Sequence, residues 1–320
     1  MRGKKYRWTT VVVRTMIVAA LIFGASVVGL AGIAPGTAFA SAEYSPVDIG
    51  TFSGGQSSAA YGLNRNGEVV GGSQTGGGDD RAFSWTAADG MLDLGTLPGY
   101  SQSDAHAIND AGVVVGVSYY VSNNSTIDEY AFSWSPSQGM VDLGTLPGGT
   151  NSYAYAVNDD GEVVGYSGTA GGQDHAFSWS PGGGMVDLGT LPGGTSSYAY
   201  AVNDGGEVAG AASSTNGVLD AVAWTVAGGM VDLGTLPGYT NSEATAVNDA
   251  GDVVGYSFTN LAVLPEHATL WQPTQPPAQL PEVPLVASIP LTALMSGGAL
   301  FSWTRRRRRE TKTGRLLDPR

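Results

Sequence analysis

The chain has 320 residues, of which 48 are glycine, 13% are charged and none is cysteine. This composition excludes a coiled coil or helical bundle, collagen without its G-X-Y period, and any disulfide framework or thiolate metal site. The net charge of −13 hides a split: between Ser41 and Gln275 there are two cations, Arg65 and Arg81, against 25 Asp and Glu, a formal 2 − 25 = −23. That argues against nucleic acid as a partner, because phosphate backbones are held by Lys and Arg clusters.

The start of the chain is basic, with Arg2, Lys4, Lys5, Arg7 and Arg14. Residues 16–34, MIVAALIFGASVVGLAGIA, carry no charge. Pro35-Gly36 then breaks the run, and Ala38-Phe39-Ala40 gives the small-x-small pattern of a signal-peptidase site. Residues 1–40 therefore read as a signal peptide cleaved after Ala40. The alternative is an uncleaved anchor, since about 19 apolar residues can just span a bilayer.

Residues 41–272 form the body, and self-similarity is its dominant signal. Asp-Leu-Gly-Thr-Leu-Pro starts at Asp93, Asp142, Asp187 and Asp232, with a weaker copy at Asp48. Asn-Asp-x-Gly starts at Asn109, Asn158, Asn203 and Asn248, with NRNG at Asn64. A tryptophan closes AFSW or its variants at Trp85, Trp134, Trp179, Trp224 and Trp271. Each Asn lies 7 residues before the Gly of V-x-G (Gly71, Gly116, Gly165, Gly210, Gly255), and each of the first four Trp lies 24 before the next Asn. Only the Gly-to-Trp gap varies, as 14, 18, 14, 14 and 16.

Each repeat reads as four short strands bounded by Gly, Asn or Asp: A-x-A-V-N, then EVVGY, then AFSW, then MVDLGTL. Four strands in about 45 residues is the size of a propeller blade. The predicted fold is all-β, a five-bladed β-propeller of four-stranded repeats. The body opens on an orphan fourth strand, residues 47–52, and ends on a third strand, residues 268–271. Pairing the two would close the ring and leave no free edge.

Beyond the body, residues 273–284 (PTQPPAQLPEVP) form a proline-rich stalk. Residues 285–303 are a second uncharged, mostly apolar run, read as a transmembrane or anchor helix. Residues 304–320 form a basic tail containing Arg305, Arg306, Arg307, Arg308 and Arg309. Cytoplasmic flanks collect Lys and Arg, so this cluster reads as a stop-transfer signal with the body outside. The expected location is extracellular, with the body held at the membrane or cell wall.

DLGTLPGG, AVNDxGEVVG and HAFSW resemble the HAF family of bacterial extracellular repeats, over about residues 46–271. The resemblance implies a secreted repeat protein and brings no assigned chemistry. The tail resembles the sortase and exosortase sorting signals in plan: short motif, apolar helix, Arg cluster. Its LPEVP, from Leu280, has Val-Pro where LPxTG has Thr-Gly, and it lacks the Pro-Glu-Pro triplet.

Asn-Asp-x-Gly lacks the alternating oxygen ligands of an EF loop and fits a hairpin turn. One Trp per repeat reads as core between blades, with sugar stacking as the alternative. His106, His175 and His267 read as solvated or turn-capping. No G-x-S-x-G, HExxH or P-loop occurs, so no catalytic residue, cofactor or metal site is assigned. The variable segment between strands two and three is the candidate working surface, because loops carry binding on a rigid scaffold. Its candidate ligand-face residues are Asp79, Asp80, Tyr119, Tyr120, Asp128, Tyr130, Asp174, His175, Asp220 and His267.

Three functions remain open. The leading one is non-catalytic adhesion or matrix scaffolding, with extracellular polysaccharide or protein as partner. The second is a secreted polysaccharide hydrolase or lyase, which a unique polar cluster in the central channel would favour. The third is an acidic, salt-adapted surface-layer component with weak Ca²⁺ binding.

Overall fold

The computed structural model describes residues 44–122, 125–215, 217–225, 229–259 and 266–273. The leader with Ala38 and Ala40, and the stalk, apolar run and arginine cluster of the tail, lie outside the described residues. Among the described residues there is no helix long and apolar enough to cross a membrane.

The compact unit that begins at Ile49 is all-β. Sheet 1 is β1 to β4 (Ser58–Leu63, Val69–Gln74, Asp80–Thr86, Gly90–Gly95). Sheet 2 is β5 to β8 (Gln102–Ile108, Val114–Ser122, Ser125–Ser135, Gly139–Asp142). Sheet 3 is β9 to β12 (Ser152–Val157, Val163–Gly168, Asp174–Ser180, Gly184–Gly189). Sheet 4 is β13 to β16 (Ser197–Val202, Val208–Ser213, Leu219–Thr225, Gly229–Asp232). Sheet 5 is β17 to β19 (Asn241–Val247, Val253–Phe258, Glu266–Trp271). Each is an antiparallel meander in the strand order of the sequence repeat, with four strands in sheets 1 to 4 and three in sheet 5. The longest Gly-to-Trp gap is absorbed by lengthening one hairpin, β6 and β7, to 9 and 11 residues.

From sheet 2 onward, the first strand of each sheet lies against the second and third strands of the sheet before it. At one junction Val115 and Ala131 of sheet 2 meet Ala154, Val163 and Phe177 of sheet 3, with Leu143 and Leu146 completing the cluster. Hydrogen bonds then tie neighbouring sheets. Ser152 Oγ accepts from Ala131 N (3.0 Å) and donates to Gly144 O (2.6 Å), and Ser103, Ser197 and Ser242 do the same at their junctions. In the Asn-x-x-Gly turns the Asn side chain closes its own turn; Asn158 Oδ1 accepts from Glu162 N at 2.8 Å. Gly161 takes the left-handed conformation that the turn needs (φ 81°). The Asn amide also reaches the next sheet. Asn64, Asn109, Asn158 and Asn203 donate Nδ2–H to the main-chain oxygens of Asn109, Asn158, Asn203 and Asn248, at 2.8–3.2 Å. The turn reading of this motif thus gains a second role as a latch.

Two expectations need correction. Residues 47–52 form no strand, and sheet 5 keeps three strands, so the described residues do not close a ring. The orphan segment is held instead by sheet 1: Phe52 N donates to Ser73 Oγ (3.0 Å) and Ser58 Oγ to Gly50 O (2.7 Å). Leu97 and Leu146 are seated in the same way on sheets 2 and 3. Among the described residues nothing covers the apolar side chains of the two terminal sheets, with Leu63 67% exposed on sheet 1 and Leu270 56% exposed on sheet 5. The second concerns the aromatics of AFSW, and only in part: Trp134, Trp179 and Trp271 pack against the clusters between sheets as expected, but they are partly buried, whereas Phe83, Phe132 and Phe177 are fully buried and Trp224 nearly so.

Candidate functional site

The first strands carry a β-bulge in every sheet, at Tyr61, His106, Tyr155, Tyr200 and Thr245. A bulge leaves one residue out of the ladder and re-aims its side chain. The glycine of V-x-G lies opposite it. A Cβ on Gly71, Gly116, Gly165, Gly210 or Gly255 would come within 1.8–2.0 Å of the carbonyl oxygen two residues before the bulge. The constant glycine and the bulge are therefore one device, repeated five times, and the bulged residues converge between sheets.

What converges is an aromatic and acidic cluster. His106 stacks on Tyr153 (centroids 4.6 Å apart), and Tyr153 on Tyr166 (5.6 Å). Tyr155 meets Tyr200 edge-on at 5.3 Å, and Tyr166 meets Tyr198 at 5.4 Å. Tyr61 reaches His106 at 6.2 Å. Carboxylates accept the phenols: Tyr119 Oη donates to Asp104 Oδ2 (3.0 Å), Tyr166 Oη to Glu129 Oε1 (3.0 Å), and Tyr256 Oη to Glu243 Oε2 (2.6 Å). Burial and the neighbouring carboxylates push the phenols of Tyr119, Tyr166, Tyr200 and Tyr256 up, so they stay protonated donors. Burial also raises the Asp104 carboxyl, although the Tyr119 hydrogen bond opposes this.

His106 makes two contacts that settle its tautomer. Nδ1 lies 2.8 Å from Ala154 O, which can only accept, so Nδ1 carries the proton. Nε2 then accepts from Tyr153 Oη at 2.9 Å. Burial lowers the His106 pKa below its ordinary value, which favours this neutral ring. The unfolded chain therefore binds this proton more readily than the folded one. Stability contributed by a neutral His106 is present above the ordinary histidine pKa and is lost as pH falls below it. The wild-type melting temperature should fall between about pH 7 and pH 5, and His106→Gln should flatten that slope. Equal slopes in a thermal scan would show that the imidazole is not held neutral.

The structure divides the loop residues singled out from the sequence. Tyr119 bonds Asp104, and the carboxylates of Asp80 and Asp174 act on the clustered phenols. The others are dispersed. Tyr130 packs on Tyr100, His175 pairs with Asp187 at 2.9 Å, Asp220 sits near Asp232, and His267 meets Tyr239 at 5.2 Å. Asp128 and Tyr120 are exposed on the β6–β7 hairpin, and Asp79 serves its turn through its carbonyl. His106 is half-buried and hydrogen-bonded through both nitrogens, not solvated or turn-capping. Sequence reasoning missed Asp104, His106, Glu129, Tyr153, Tyr155, Tyr166, Tyr198, Tyr200, Glu243 and Tyr256. One signal was present: the x positions of A-x-A change from copy to copy inside an otherwise constant strand.

Two other concave features accompany the cluster. A cavity of about 260 Å³ near the Asn-x-x-Gly turns is lined by residues of sheets 1 to 4, including Arg65, Asp110, Asp159 and Asp204. Grooves between sheets 1 and 2, and between sheets 4 and 5, each pair a glutamate with the next sheet's tryptophan, Glu68 with Trp134 and Glu207 with Trp271. Among the described residues, no group of three or more His, Asp or Glu is placed to hold a metal ion.

No family model matches the chain, and no curated protein matches it. Among solved structures, a mutant of AofleA from Arthrobotrys oligospora is similar, with 16% identity over 66% of this chain and 83% of that one, and a TM-score of 0.34.

Proposed function

We propose that the protein is a secreted, surface-anchored repeat protein of the HAF kind, a five-bladed propeller-like body that binds polysaccharide without transforming it. One observation carries the reading: tyrosines and carboxylates from successive repeats converge at the bulged first strands. Aromatic faces pack on the C–H faces of sugar rings while carboxylates accept their hydroxyls, and a small number of placed polar groups among aromatics is the usual make-up of a ligand site. The leader and tail of the sequence support export and anchoring.

The test is a glycan array probed with the full-length protein, followed by titration of the retained oligosaccharide. Tyr155→Ala and Tyr200→Ala should each weaken binding by about tenfold, the effect of losing roughly 1.4 kcal/mol of contact. If no glycan is retained, or if both variants bind as the wild type does, the reading fails.

The hydrolase or lyase reading keeps one observation in its favour. His106 belongs to the second repeat alone and lies two residues from Asp104, an acid matched at that repeat position only by Glu243. Release of new reducing ends or unsaturated products from the retained glycan would establish it in place of simple binding.

A further inference from the structure

Charge accounting around the cluster narrows the ligand. Asp104, Glu129 and Glu243 each accept a phenol hydroxyl within it, and Asp174 acts on Tyr155, Tyr166 and Tyr198. A phenol is a neutral donor and brings no positive charge to these acids. The body has two basic side chains, and both are engaged elsewhere. Arg65 pairs with Asp110 (2.9 Å) and lies 3.8 Å from Asp159, at the Asn-x-x-Gly turns. Arg81 donates to Ser101 O (3.2 Å) and lies 3.9 Å from Asp93. His106 adds no charge, because its Nδ1–H is committed to a carbonyl and its Nε2 to a phenol. The cluster thus joins uncompensated negative charge to electron-rich ring faces. An anionic glycan would be repelled there. A metal ion would use the carboxylates and leave the rings idle, whereas an ammonium group is attracted by both.

We infer that the tyrosine–carboxylate cluster of the first strands recognises an amine-bearing sugar chain, a polymer of glucosamine type with free ammonium groups. This rests on the polysaccharide reading above and specifies its substrate class. The sugar faces lie on Tyr155, Tyr198 and Tyr200, and the ammonium groups meet Glu129, Asp174 and Glu243.

Calorimetric titration of the full-length protein tests this with three probes, at a pH where the amines are protonated. They are a β-1,4-linked glucosamine hexamer, its fully N-acetylated counterpart, and a lysine hexamer. The free-amine sugar should bind about tenfold tighter than the acetylated one, and added salt should erode the difference. Glu129→Gln and Glu243→Gln, which keep the side-chain shape, should bring the two sugars closer together. Asp160→Asn, in an exposed turn, should keep the preference. Equal or tighter binding of the acetylated hexamer overturns the amine inference and leaves the polysaccharide reading standing. A lysine hexamer that binds as tightly as the amino sugar overturns the sugar assignment, since charge alone would then suffice. If the folded protein binds none of the three while the array retains another glycan, the amine inference fails and the polysaccharide reading stands; if the array retains nothing either, both fail.

Discussion

Phe177→Ala is expected to cost about 3–5 kcal/mol, the usual loss when a fully buried aromatic is truncated. Phe177 has no exposed surface and joins sheet 3 to Val115 and Ala131 of sheet 2. Its removal leaves a void between two sheets, where neither backbone can move in without breaking the Ser152 and Asn109 bridges. Trp179 lies on the same face of β11, two residues on, but it is half-buried. Trp179→Ala should therefore cost distinctly less, despite the larger side chain. Denaturant midpoints of the two variants decide the matter. A Trp179 variant less stable than the Phe177 variant would return the tryptophans to the centre of the core.

The second large effect is expected at Gly165. A Cβ there would stand 1.8 Å from Tyr153 O, a backbone atom that can retreat only if the bulge at Tyr155 is rebuilt. Overpacking commonly costs about 1–3 kcal/mol, and Gly165→Ala belongs at or above the top of that range because the obstacle is main chain. Gly77→Ala is the control. Its Cβ would meet nothing closer than 3.7 Å, so its effect should stay within about 0.5 kcal/mol. Similar unfolding midpoints for the two variants would remove the bulge from the account. Binding is a second readout, because rebuilding the bulge also re-aims Tyr155.

These two sites show how far the sequence could be read. The constant gap of 7 between Asn and Gly is a turn followed by half a strand up to the bulge-facing glycine, and the repeat made it visible. The variable gap falls in the hairpin between second and third strands, where β6 and β7 can grow without disturbing a junction. The relative depth of Phe and Trp was not legible. Both point to one face of the strand, and their difference in burial depends on how the neighbouring sheet lies across it. Closure was not legible either. Counting strand types gives an orphan and a gap, but the turn per repeat is set by packing between sheets, and no motif states it. The cluster lay hidden for another reason: Asp104, His106 and Glu243 occupy positions where repeat logic discounts variation.

The asparagine latch has a consequence for how such a chain can change. It takes a side chain from one repeat but only a carbonyl oxygen from the next. No residue in the following copy has to be matched to it. The serine bridges work in the same manner, through main-chain groups of the preceding copy. Joints that recognise backbone are indifferent to what decorates the neighbour. Copy number can then rise or fall, and the bulged side chain of any one unit can drift, while these hydrogen-bonded ties persist and only the apolar contacts between sheets still need both copies. Rigidity and variability are thereby assigned to different atoms of the same strand.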